Sequence, residues 1–135
     1  MTANNHKSNV NERDVERWAI TAARAADDKK ATETVVLNVS HLLGITDAFV
    51  VTSGSNDRQV RTIAEEVERQ VKEIGGPAPR RIEGLGDASW VLIDYGDFVV
   101  HVFQEESRTF YELERLWADA PVLQWRDTAA VSSPA

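Results

Sequence analysis

The chain has 135 residues, no cysteine, and 15 basic against 22 acidic side chains, which give a net charge of −7. This length suits one domain with a single core, and without cysteine neither disulfide bonds nor thiolate metal sites can form. The acidic balance disfavours binding to duplex nucleic acid and suits a basic protein partner, although it would also serve solubility alone.

Residues 11–125 are predicted to form a single domain. Residues 1–10 are polar and residues 126–135 are mostly small or polar, so we expect both ends to be flexible. No apolar run reaches the length of a membrane span and the N-terminus has no signal core, which predicts a cytoplasmic protein.

A helix and a strand are predicted at the start of this domain. Asn11 can cap the helix, in which apolar residues recur at helical spacing from Val15 to Ala26. The β-branched segment 34–39 is a predicted strand, and a turn with Gly44 as its pivot follows it.

A second strand is predicted at 48–52, and it leads into a long helix. The segment 53–56 breaks the strand with serine, glycine and asparagine. Apolar residues spaced by three and four from Val60 to Ile74 predict an amphipathic helix, which the Gly-Gly-Pro segment 75–77 ends.

Residues 90–103 are predicted to form a β-hairpin. A turn centred on Tyr95-Gly96 would set Trp90 opposite His101, and alternation along the strands then sorts the side chains onto two faces. One face is wholly apolar and is assigned to the core: Val91, Ile93, Phe98, Val100 and Val102. The other face mixes apolar, aromatic and ionisable side chains: Trp90, Leu92, Asp94, Asp97, Val99, His101 and Phe103.

A short strand or loop is predicted at 80–84, before the hairpin, and a last helix is predicted after it. Ser107 is the predicted cap of that helix, and its buried stripe would contain Phe110, Leu113 and Trp117. The element order α-β-β-α-β-β-α predicts an α/β fold in which helices pack on a mixed β-sheet.

The segment 53–56 follows a strand and precedes a helix, an arrangement that can bind an anion through backbone N–H groups. Nucleotidyltransferases begin their active site in this way, but they need two or three carboxylates on neighbouring strands to hold metal ions. Asp94 and Asp97 straddle a turn, so a metal-dependent nucleotidyltransferase is kept only as an alternative. The structural explanation is an ordinary turn in which Ser55 or Asn56 caps the helix.

Other kinds of reactive site have little support in the sequence. The three histidines, His6, His41 and His101, do not lie at ligand spacing, and no G-x-S-x-G motif is present. Arg80-Arg81 is the only adjacent pair of arginines, and neighbouring carboxylates would repel an RNA backbone. We therefore predict no catalytic residue, no metal, no cofactor and no sequence-specific nucleic-acid partner.

Aromatic side chains in the hairpin indicate protein recognition. Trp90, Tyr95, His101 and Phe103 would form an apolar centre with a rim of carboxylates, and large aromatic side chains are favoured anchors of interfaces. The pattern leaves an alternative open, in which a second layer of helix covers Trp90 and Phe103 and makes them part of the core.

Four segments of the chain resemble the Iojap family, the ribosomal silencing factors. They are ITDAFVVTSGSNDRQVRTIAEEVE from Ile45, RIEG from Arg81, WVLIDYGDFVVHVFQEESRTFYELERLW from Trp90, and DAP at 119–121. The resemblance covers about residues 12–121 and implies an α/β fold related to nucleotidyltransferases but lacking their catalytic carboxylates.

The resemblance also implies a function without catalysis. Such proteins bind ribosomal protein uL-fourteen of the large ribosomal subunit and sterically block joining of the small subunit, which represses translation in starvation or stationary phase. Organellar relatives act in large-subunit assembly, so an assembly factor at the same site is an alternative, and a homodimer is compatible with the family. The predicted partner-binding residues, with the two glutamates added from charge alone, are Trp90, Leu92, Asp94, Tyr95, His101, Phe103, Glu105 and Glu106.

Overall fold

The structure is a computed structural model that describes residues 11–111 and 118–126, without the side chains of residues 43 and 109–111. The helices are α1 (Glu12–Asp28), α2 (Ser40–Leu43), α3 (Asp57–Glu73) and α4 (Glu105–Tyr111). The strands are β1 (Thr32–Asn38), β2 (Ala48–Gly54), β3 (Arg81–Glu83), β4 (Trp90–Asp94), β5 (Phe98–Gln104) and β6 (Val122–Leu123). Within the described residues, no helix combines the length and the apolar character that a membrane crossing requires.

These strands form one mixed sheet in the order β3-β4-β5-β2-β1-β6. The central pair, β2 and β5, is parallel, and the other neighbouring strands pair antiparallel. The predicted α/β fold with a mixed sheet is confirmed. The edge strand β6 was not predicted, because two residues are too few to show an alternating pattern.

Helices α1 and α3 cover one face of the sheet. Asn11 caps α1 by accepting a hydrogen bond from the backbone N–H of Asp14, and Asn56 caps α3 through the N–H of Gln59. Their predicted apolar stripes are buried, apart from the partly exposed Trp18 and Ile74. They pack against the apolar face of the hairpin in one core, as predicted: Val91, Ile93, Phe98, Val100 and Val102.

The hairpin formed by β4 and β5 differs from the prediction in its register. Its turn is centred on Gly96-Asp97, so that Trp90 pairs with Phe103 and not with His101. Gly96 has a φ of +90°, a conformation that residues with a side chain rarely adopt, and this moves the turn along by one residue. The pairing therefore shifts by two residues, and the two predicted faces are preserved because side chains alternate with a period of two.

Two of the predicted helix boundaries differ in the structure: a short helix, α2, was not predicted, and α4 begins before its predicted cap. The predicted turn after β1 contains the single-turn helix α2, which Gly44 ends with a φ of +75°. Ser107 does not cap α4, because the chain passes directly from β5 into a helix that begins at Glu105. Three predictions concern parts of the chain outside the described side chains: the α4 stripe of Phe110, Leu113 and Trp117, the flexibility of residues 1–10, and the loose tail beyond 126.

Candidate functional site

The second face of the sheet is only partly covered by the described residues. Helix α4 reaches it at one end, where Arg108 donates a 2.6 Å hydrogen bond to the hydroxyl of Ser53. Phe103 is fully buried on this face, whereas Trp90 stays partly exposed. Of the two residues that the alternative placed in the core, Phe103 belongs to it, whereas Trp90 is only partly buried.

An aromatic cluster of Trp90, His101, Phe49 and Phe103 occupies the centre of this face. The indole N–H of Trp90 donates a 3.1 Å hydrogen bond to Nδ1 of His101. The Trp90 ring stacks on Phe103 with 5.1 Å between ring centroids, and the His101 ring meets Phe49 edge-on at 4.7 Å. Packing on one side and hydrogen bonding on the other hold Trp90 in a single orientation.

His101 is a buried, neutral imidazole. It is 5% exposed, and burial lowers its pKa to about 4. Because Nδ1 accepts the hydrogen bond from Trp90, the ring proton lies on Nε2. This Nε2–H finds no hydrogen-bond partner among the described residues, which is unusual for a buried donor.

A groove with a volume of about 370 Å³ lies beside the cluster, and His101 lines it. Leu92, Val99 and the 83% exposed Ile45 make its walls largely apolar. Thr46 also lines the groove, and its buried hydroxyl, like Nε2 of His101, has no hydrogen-bond partner in the described part of the chain.

The carboxylates do not form one rim around the cluster. Asp94 lies at the groove, where its Oδ2 is 3.4 Å from Nε of Arg81, so its charge is paired. Glu105 and Glu106 follow the other end of β5. Asp94 pairs with Val99, six residues before Glu105, so the two carboxylates are about 20 Å apart at roughly 3.3 Å per residue. Glu105 accepts a 2.9 Å hydrogen bond from the hydroxyl of Thr32. The predicted rim is therefore divided between two ends of the sheet.

Tyr95 lies on the opposite face from Trp90. Its ring stacks on Phe98 in the core under α1 and α3, with 4.4 Å between centroids. Burial, and then the charge of Glu68 on α3, raise the pKa of the Tyr95 phenol well above its ordinary value. The grouping of Tyr95 with Trp90 is wrong, because Tyr95 continues the alternation that turns the odd-numbered residues of β4 toward the helices.

The turn at 53–56 is filled by a side chain of its own helix. The backbone N–H and the hydroxyl of Ser55 both donate to Oε1 of Gln59, at 2.6 and 2.9 Å. Asn56 is the cap of α3, as the structural explanation predicted. The two donors of Ser55 are thus satisfied internally. No group of three acidic or histidine side chains suited to a metal ion occurs within residues 11–111 and 118–126.

Several residues of the site were not predicted. Phe49 joins the cluster because β2 pairs with β5, which sets Phe49 opposite Val99. Thr46 lies in the loop that precedes β2. Arg80, considered above only as one of two adjacent arginines, also lines the groove. Alternation within 48–52 indicates that Phe49 faces one side of the sheet, but no local pattern shows which strand lies beside it.

Comparisons with known proteins point to one family. A family model described as a ribosomal silencing factor during starvation matches residues 12–135. A ribosomal silencing factor from Halalkalibacterium halodurans is 45% identical over 103 residues, which cover 76% of this chain and 87% of the relative. A crystal structure of a protein from Chromobacterium violaceum superposes with a TM-score of 0.72 at 33% identity, over 76% of this chain and 84% of that one.

A more distant relative is named for a role in assembly. The mouse protein called mitochondrial assembly of ribosomal large subunit protein 1 is 30% identical over 91 residues. The match covers 66% of this chain but only 40% of the mouse protein.

Proposed function

The chain belongs to the family of ribosomal silencing factors, and on that basis we propose that it binds the large ribosomal subunit and keeps the small subunit from joining. The observation that supports this best is the partly exposed Trp90, held rigidly on a sheet face that α1 and α3 leave uncovered. Rigid aromatic side chains bind partners at a small entropic cost, and Leu92 and Val99 extend the apolar surface beside Trp90.

The proposed mechanism is steric. A bound domain of 15.1 kDa occupies space on the joining face that the small subunit needs. We propose ribosomal protein uL-fourteen as the contact, with Trp90, Leu92, Asp94, His101 and Phe103 on the side of the sheet that meets it. Glu105 and Glu106 would meet the partner only at the far end of β5, where charge affects the rate of association more than its strength.

We further infer that the protein works in the cytoplasm and catalyses no reaction. The internal hydrogen bonds of Ser55 support the second inference, since they occupy two of the donors that a nucleotide phosphate would use at the start of α3. A homodimer that buried the same face would compete with ribosome binding, so dilution would favour the active species.

Sedimentation of tagged protein in a ribosome gradient tests the proposal. We expect the protein to migrate with free large subunits and to be missing from joined ribosomes. Co-migration with joined ribosomes at the same occupancy would contradict a steric block. Adding purified small subunits to the preformed complex should give fewer joined particles than the same mixture without the protein.

A second candidate function is assembly of the large subunit, which the name of the mouse relative favours. Both functions need the same contact, so binding data do not separate them. Gradients of a deletion strain do: immature large subunits during growth would indicate assembly, whereas mature subunits that join excessively during starvation would indicate silencing.

A further inference from the structure

We propose that the groove beside the aromatic cluster binds a carboxylate of the ribosomal partner protein, with the Nε2–H of His101 and the hydroxyl of Thr46 as its hydrogen-bond donors. This rests on the proposed function and names the chemistry that the groove selects. Both donors are buried, both residues line the same groove, and neither atom has a partner among the described residues. Such atoms are destabilising in the free protein, and a bound acceptor would remove that penalty.

The charges around the groove favour an anionic acceptor over a neutral one. The charged side chains that line the groove are two guanidiniums, Arg80 and Arg81, and one carboxylate, Asp94, which gives an excess of one positive charge. Arg81 is within 4 Å of the carboxylates of Asp94 and of Glu83, which lies outside the lining. Arg80 is exposed, lines the groove, and makes no ion pair with the described residues. It therefore contributes an unneutralised positive charge to a protein whose net charge is −7.

A side-chain carboxylate fits this arrangement better than an RNA phosphate. A polynucleotide would bring several phosphates toward Asp94, Asp97 and Glu83 near the groove, and like charges repel. One carboxylate on an otherwise basic protein meets only the two donors of His101 and Thr46 and the positive charge of Arg80. Both donor atoms are shielded from solvent in the free protein, so the loop of residues 44–47, with the exposed Ile45, has to shift as the carboxylate enters.

Trp90 acts in this proposal as a positioning residue. Its N–H occupies Nδ1 of His101, which keeps the imidazole proton on Nε2 and the ring in place. Two substitutions of His101 test the roles of its two ring nitrogens separately. His101→Asn keeps an acceptor near the Nδ1 position for Trp90 and removes the outer donor, whereas His101→Gln keeps a donor near the Nε2 position and removes the acceptor.

The test measures binding of the full chain to purified large subunits. We expect His101→Asn to weaken binding about tenfold or more, since a lost hydrogen bond to a charged acceptor costs at least that much, and His101→Gln to stay within about threefold of wild type. Thr46→Val removes the hydroxyl and should weaken binding as much as His101→Asn does. Thr46→Ser keeps the hydroxyl and should bind within about threefold of wild type, like His101→Gln. The NMR resonance of the Trp90 indole N–H confirms the design if it is retained in His101→Asn and moves in His101→Gln.

The outcomes separate this inference from the proposed function. If wild type binds large subunits but the Asn and Gln variants bind equally well, the carboxylate site is wrong and the proposed function stands.

If wild type does not bind, the proposed function fails, and acetate titration of the free protein still tests whether the groove binds a carboxylate. Acetate should shift the Nε2–H resonance of His101 in wild type and not in Thr46→Val. An unmoved resonance would overturn the site, and a shift with inorganic phosphate alone would assign it to a nucleic-acid phosphate instead.

Discussion

The indole N–H of Trp90 and Nδ1 of His101 are joined by a 3.1 Å hydrogen bond that runs diagonally between two neighbouring strands. Trp90 lies directly opposite Phe103, and His101 is two residues earlier on β5. Because this bond engages the indole N–H, Trp90 meets a partner mainly through its ring. Its contribution to binding is therefore expected to be apolar area placed at low entropic cost.

Truncation of Trp90 tests that role. Trp90→Ala should weaken large-subunit binding by about 2 kcal/mol or more, roughly 30-fold, because it removes the anchor of the exposed face. Trp18→Ala is the matched control. Trp18 is also partly exposed, but it lies on α1 and packs on Phe98, on the opposite face of the sheet from Trp90. Equal loss of binding in the two variants, measured by titration of large subunits at matched folded fractions, would show that the effect is only one of stability.

The buried His101 should make stability depend on acidity. Its pKa of about 4 in the folded protein is below its ordinary value of 6.5, so between these values the unfolded chain binds the proton more strongly. Stability is unaffected above about pH 6.5 and falls as the pH is lowered, by roughly 2 kcal/mol at pH 5 and about 3 kcal/mol below pH 4. Urea unfolding from pH 7 to pH 4 should show this loss in wild type beyond that in His101→Gln. Parallel curves for the two proteins would contradict it.

Two glycines in the loop between β3 and β4 should respond differently to substitution. Gly84 has a φ of +92°, and an added Cβ would lie 2.0 Å from the carbonyl oxygen of Trp90. Gly84→Ala should therefore destabilise the fold by about 2 kcal/mol or more and displace the first residue of β4. Gly86 has no atom within 4 Å of its added Cβ, so Gly86→Ala should stay within about 0.5 kcal/mol of wild type in the same unfolding assay.

Nucleotides should not stabilise the protein. The donors of Ser55 are engaged by Gln59, so neither ATP nor GTP with Mg²⁺ at millimolar concentration should raise the melting temperature. Gln59→Ala frees these donors and serves as the control for a latent anion site. A clear rise for wild type in a thermal-shift assay would revive the nucleotidyltransferase alternative.

Local sequence patterns were sufficient for the longer elements and for the faces of their side chains, but not for α2, β6 or the side that Tyr95 faces. The spacing of apolar residues in α3 predicts its buried stripe, and Asn11 and Asn56 mark the starts of α1 and α3. Alternation in 90–103 separates core from site side chains even though the predicted register was wrong by two residues, since an even shift leaves the faces unchanged. Ser107 was mistaken for a cap because the sequence does not reveal whether a loop separates β5 from α4. In the structure α4 follows β5 directly.

What the sequence by itself determined is thus the longer helices and strands, the side that most of their residues face and, through the resemblance of its motifs, the family. Only the tertiary structure decided which strands are neighbours. The parallel pairing of β2 with β5 brings Phe49 to His101, and the β3–β4 pairing brings Arg81 to Asp94. The physical reason is that facing depends on a period of two or 3.6 residues along the chain, whereas a site between strands depends on pairings between distant segments that only the packing of the whole core selects.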